Sequence, residues 1–157
     1  MLYDLAAGLV ATLNRAGAML LVNDRVDVAL AANAHGVQLG ARGMPLHLAR
    51  RLLGADRWLG ASVHSDNEAM RAAADGADFL IAGTLYQSPS HPERAGAGID
   101  WLGSLTSGGP PVIGIGGITP ERIDPIRAAG AHGAAVLSGI WDSPDPIDAV
   151  RSYLNEL

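Results

Sequence analysis

Cysteine is absent from the sequence, which excludes a disulfide framework, thiolate catalysis and cysteine-ligated metal centres. Positive charge is scarce and dispersed. Eleven basic residues stand against sixteen acidic ones, for a net charge of −5, and only Arg50 and Arg51 are adjacent. A nucleic-acid backbone is gripped by clustered basic side chains, so the composition argues against a nucleic-acid partner. Long apolar runs are missing too: none approaches the roughly 18 residues of a membrane span. The first seventeen residues carry Asp4 and no basic leader, so they read as an amphipathic helix and not as a signal peptide. The expectation is a cytoplasmic protein without a membrane partner.

What remains is compact and apolar. Hydrophobic residues make up 48% of the 157 positions, with 20 glycines and 9 prolines, a composition that favours one globular domain over 1–157. Short apolar runs alternate with helical patterns: Met19–Val22, Gly36–Leu39, Trp58–Val63, Phe79–Ala82, Pro111–Ile115 and Ala134–Leu137. Runs that are apolar at nearly every position suit parallel strands buried on both faces. Between them, Asp24–Ala34, Pro45–Leu53 and the segment from Ser65 to Asp75 read as helices, the last opened by a Ser65/Glu68 capping box. Thr119-Pro120-Glu121 opens another helix, ending at Gly130, and Pro144–Asn155 is the last. AANAHGVQLG, AADGADFLIAG and AAGAHGAAVLSG echo one another as helix end, turn, strand and glycine, which suggests one repeated βα unit. The predicted fold is α/β, a TIM-type (β/α) barrel truncated at its N-terminus to about six βα units, where a closed barrel has eight.

In such barrels the ligand sits at the C-terminal ends of the strands, and the loops after the last two often hold a phosphate. Gly116-Gly117 and Ser138-Gly139 occupy those two positions, and glycine lets backbone N–H groups approach an anion closely. Asn23 and Asp24 follow the first strand; Asp24 suits an N-cap, and both suit a pocket wall. Ser62 and His64 end another strand, with His64 either a general base or a hydrogen-bonded structural histidine. The stretch Gly83–Gly98 is long enough for a lid or binding loop, offering Ser88, Ser90, His91 and Arg94 to an anion. The remaining histidines lack metal-ligand spacing, so a zinc site is not expected.

LLVNDRVDVALAANAHGVQLG, GASVHS, GADFLIAGTLYQSPSHP, PVIGIGGIT and GAHGAAVLSGI together resemble the thiamine-phosphate synthase superfamily, which includes the thiazole tautomerase (TenI-like) branch. The resemblance runs in order from about Leu20 to Ile140. It implies a (β/α) barrel of thiamine biosynthesis that handles thiazole phosphate or thiamine phosphate. Family synthases join a pyrimidine pyrophosphate to thiazole phosphate and use magnesium against the departing charge.

Against the synthase pattern, Leu39-Gly40-Ala41-Arg42-Gly43 lacks the acidic magnesium ligand. Ser88-Pro89-Ser90-His91 keeps the hydroxyls of a T-x-T-K run but has His91 for the lysine, and the Gln-x-Arg-x-Lys pyrophosphate clamp is absent. Asn23, Asp24 and Ser62 match synthase pocket positions. Against the tautomerase pattern, Ser138-Gly139-Ile140 fits, but Thr84 stands at the proton-transfer histidine, which leaves His91 and His64 as candidate acid/base groups. These matches favour a tautomerase-like protein, then a synthase relative, then a catalytically silent phosphate-binding or regulatory module. No cofactor is expected, with magnesium only in the synthase case. A sheet two strands short of closure also suggests a homodimer or larger assembly.

Overall fold

The computed structural model describes residues 1–87 and 95–156. Six strands form one all-parallel sheet in sequence order: β1 (Leu21–Asn23), β2 (Gly36–Leu39), β3 (Trp58–Val63), β4 (Phe79–Gly83), β5 (Val112–Ile115) and β6 (Gly133–Ala135). Each strand pairs only with its sequence neighbours, so β1 and β6 are open edges among the described residues. The expected six-unit barrel is therefore present, as a curved portion and not a closed ring. Helices α1 (Leu2–Arg15), α2 (Val26–Ala31), α3 (Leu46–Leu53), α4 (Asp66–Ala74), α5 (Gly98–Leu105), α6 (Ile123–Ala128), α7 (Ser138–Trp141) and α8 (Pro146–Leu154) complete the chain. None of these helices is long and apolar enough to cross a membrane.

Strand side chains alternate between two faces. Val37, Leu39, Leu59, Ala61, Val63, Leu80, Ala82 and Val112 point to the helices and are buried, packing with Ala29, Ala49, Leu53, Leu102 and Ile126. The opposite set forms the concave face. There Ile81, Ile113 and Ile115 are only half-buried, although their sequence runs are as apolar as those of their neighbours. A closed barrel would stack such residues into a filled core. Here the seam beyond β6 leaves them partly open.

Several boundaries differ from expectation. The first strand starts two residues later and ends one later than Met19–Val22, because His35 Nδ1 accepts the Leu20 N–H at 2.9 Å and ladder pairing starts only at Leu21. The last strand is Gly133–Ala135, not Ala134–Leu137: Leu137 turns out to solvent at 64% exposure and is the N-cap of α7. Helix α5 was not foreseen, since glycines at its start and middle mask its apolar face. The helix expected from Thr119 opens instead as a 3-10 turn, Pro120–Arg122, before α6. Ser65 does cap α4, accepting the Glu68 N–H, but the Glu68 carboxylate reaches back to the His64 N–H and not to that of Ser65. Helix α1 buries Ala6 and packs on α2, while Leu2, Leu5 and Leu9 stay exposed.

The base of the sheet is tied by one arginine. Arg50 of α3 donates to the carbonyls of Gly54 (2.8 Å), Arg57 (2.9 Å) and Gly76 (3.0 and 3.2 Å), and pairs with Asp78. Asp78 in turn accepts the Leu59 N–H at 2.7 Å. This network joins the N-terminal ends of β3 and β4, away from the strand ends where ligands sit.

Candidate anion and substrate site

A cavity of about 890 Å³ opens at the C-terminal ends of the strands. That is the size of a small-molecule pocket. Asn23, Asp24, Ser62, His64, Thr84, Gly116, Gly117, Ser138 and Gly139 all line it, so the fold gathers these sequence candidates around one space. Ser88, Ser90 and His91, with Arg94, lie outside the described residues.

The glycine loops approach the cavity with free donors. Gly116 and Gly117 have φ of +100° and +62°, a region that side chains other than glycine seldom adopt. The space is closed to side chains as well: a β-carbon on Gly116 would meet Thr84 Cγ2 at 2.6 Å, and one on Gly117 would meet the Gln87 carbonyl oxygen at 2.6 Å. The N–H groups of Gly116, Gly117 and Ile118 donate to no acceptor among the described residues. After β6, the amides of Ser138 and Gly139 are likewise unpaired, because the first bonds of that turn come from Ile140 and Trp141. Two successive loops thus present bare N–H groups to one cavity, which is the chemistry of anion binding.

Asp24 is not the N-cap of α2. Arg25 holds that position, without a side-chain cap bond. Asp24 instead adopts a left-handed φ of +57°, and its Oδ1 accepts the Gly40 N–H at 2.8 Å while Oδ2 accepts from Asn23 Nδ2 at 3.2 Å. It staples the loop after β1 to the loop after β2. The magnesium expected of a synthase finds a poor donor set here. Asp24 is the one carboxylate on the cavity wall among the described residues, both of its oxygens already accept N–H bonds, and no cluster of three acidic or imidazole groups exists among those residues. The described residues do not fit a magnesium site.

His64 donates through Nδ1 to the Gly83 carbonyl. A carbonyl can only accept, so the proton sits on Nδ1 and Nε2 is left as the basic nitrogen.

Four contributors escaped the sequence reading. Gln38, buried on β2, donates to Ser62 Oγ at 3.0 Å and fixes that hydroxyl on the wall; a lone polar residue in the run GVQLG was its visible signal. Arg42 is the one cation lining the cavity among the described residues, and every one of the chain's eleven basic residues is arginine. Arg122 and Tyr153 act behind the glycine loops and carried no signal in the sequence.

The thiamine monophosphate synthase family model matches residues 1–140. This chain belongs to that family. It is 44% identical over 155 residues to a putative thiamine-phosphate synthase of Geobacter sulfurreducens, covering 98% of this chain and 73% of that protein. A thiamine biosynthesis bifunctional protein ThiM/ThiE of Symbiobacterium thermophilum is 46% identical over 145 residues, which are 91% of this chain. The chain spans only 30% of that protein's length, and 44% of a thiamine-phosphate synthase from Thermosynechococcus vestitus. Among solved structures, thiamine phosphate pyrophosphorylase from Pyrococcus furiosus superposes with a TM-score of 0.90 at 33% identity, covering 99% of this chain and 75% of that one. A 3-hexulose-6-phosphate synthase, at 20% identity and a TM-score of 0.67, shares the fold alone.

These family relationships correct the weight given to Ser138-Gly139-Ile140. By resemblance the glycine favours the tautomerase branch. In the structure a β-carbon at residue 139 would stand 2.2 Å from the Tyr153 hydroxyl oxygen, so local packing accounts for it without reference to the reaction. The named relatives support the synthase side of the family, which the sequence reading had placed second.

Proposed function

We propose that the cavity is the thiazole-phosphate subsite of a thiamine-phosphate synthase. The observation that carries this reading is the run of three unpaired amides at Gly116, Gly117 and Ile118 beside the unpaired Ser138 and Gly139 amides. A phosphate offers several acceptor oxygens and takes such N–H groups readily. Asn23 and Ser62 would contact the thiazole, with Thr84 beside Gly116 and Arg42 adding positive charge. Phosphate binding in this reading needs no metal. The test is calorimetry with thiazole phosphate and with the same thiazole lacking its phosphate. A preference of about tenfold or more for the phosphate ester is expected; equal affinities would overturn the reading.

A second reading rests on His64. With Nδ1 held by the Gly83 carbonyl, Nε2 is a base at the cavity edge, as a tautomerase-type proton transfer on the thiazole needs. His64→Asn should then cut such a rate about a hundredfold. An unaffected rate would remove His64 from this role and leave His91 as the remaining imidazole candidate.

A homo-oligomer in the cytoplasm belongs to the same proposal. Its support is the half-buried concave face, the open edges of β1 and β6, and the exposure of Leu137 and Trp141 beside β6.

A further inference from the structure

We propose that Tyr153 is a positioning residue of the anion site: its hydroxyl clasps the Gly116-Gly117-Ile118 loop to the Ser138-Gly139 loop. This rests on the phosphate reading of that site. Tyr153 lies on α8, outside the residues matched by the family model, and its side chain is buried at 8% exposure. The hydroxyl donates to the Ile118 carbonyl at 2.9 Å. The same oxygen stands 2.2 Å from where a Gly139 β-carbon would be. One atom therefore touches both loops, and it does so from behind, since Tyr153 is not part of the cavity wall.

Arg122 completes the arrangement on the preceding peptide. Its guanidinium donates to the Gly117 carbonyl and lies 4.2 Å over the Tyr86 ring, while a β-carbon on Gly117 would fall 2.9 Å from Tyr86 Cβ. In a planar trans peptide the C=O and N–H point in opposite directions. Drawing the Gly117 carbonyl toward Arg122 turns the Ile118 N–H the other way, and that N–H has no acceptor among the described residues. Drawing the Ile118 carbonyl toward Tyr153 fixes the next peptide plane. Two adjacent glycines with positive φ would otherwise leave this segment much rotational freedom, and ordering it on binding would cost affinity. Burial, and secondarily the Glu121 carboxylate, push the Tyr153 hydroxyl above its usual titration range, so it stays a donor at neutral pH.

A clasp of this kind acts on the phosphate and on nothing else in the ligand. Tyr153→Phe keeps the ring and deletes only the hydroxyl. Calorimetry on the full chain should show thiazole phosphate binding about tenfold more weakly, the scale of one hydrogen bond, while the thiazole without phosphate binds as before. Arg122→Gln should behave alike. Gly139→Ala should reproduce the loss by crowding the hydroxyl, and combining it with Tyr153→Phe should be no worse than either single change. Losses that fall equally on both ligands, or no loss at all, would overturn the clasp while leaving the phosphate site in place. If the unmodified chain shows no preference for the phosphate ester, the phosphate reading itself fails and the clasp with it.

Discussion

The Asp24 carboxylate lies directly against Gly43: a β-carbon on Gly43 would stand 2.7 Å from Asp24 Oδ1. The family resemblance implies an acidic magnesium ligand in the run that here reads Leu39-Gly40-Ala41-Arg42-Gly43. An aspartate at residue 43 would displace the Asp24 carboxylate slightly and set a second carboxylate beside it. Hard divalent cations are held by such oxygen sets. Gly43→Asp should create a magnesium site, raising the melting temperature by about 2–4 °C in millimolar magnesium, as a stabilisation near 1 kcal/mol does in a chain of this size. The unmodified chain should show no such rise. A comparable rise in the unmodified chain would refute this.

Gly117→Val tests the anion loop directly. Valine at a φ of +62° is strained, and its β-carbon would collide with the backbone of Tyr86 and Gln87. The loop must move, taking the Ile118 N–H with it. Thiazole-phosphate affinity should fall by at least about 1.4 kcal/mol, a tenfold step. Unchanged affinity in a folded Gly117→Val protein would place the phosphate elsewhere.

Arg50→Ala should destabilise the fold without touching the ligand. It strands the carbonyls of Gly54, Arg57 and Gly76 and leaves Asp78 without its cation. The expected loss is about 2–3 kcal/mol, seen as a lower midpoint in urea with an unchanged slope. Arg50→Lys should recover little, since an ammonium cannot reach this many acceptors as a planar fork does. A loss below about 0.5 kcal/mol, the scale of an ordinary surface substitution, would show the network to be ornamental.

Sedimentation should find a species larger than the 16.2 kDa chain. The concave face exposes part of Ile81, Ile113 and Ile115, and both outer strands carry unpaired edges. Edges and apolar faces of this kind are covered in stable proteins. A clean monomer at high concentration would remove the oligomer from the proposal.

The sequence by itself determined the parallel α/β architecture and the strand count. Apolar runs alternating with capped helices permit little else, because strands covered by helices on one face and by their neighbours' side chains on the other are apolar at most positions. It also located the two glycine loops, since the barrel rule ties phosphate binding to the last two strands. Tertiary structure alone decided the rest. Asp24 suits an N-cap by residue type, yet its carboxylate bonds to the Gly40 amide, sixteen positions away and beside it only once β1 and β2 pair. Gly139 resembled a mark of one family branch, but its cause is the hydroxyl of Tyr153, fourteen residues later on another helix. Local propensity and periodicity act over a few residues along the chain. The hydrogen bonds that aim this site run between loops that meet only when the sheet curves, so no local pattern in the sequence announces them.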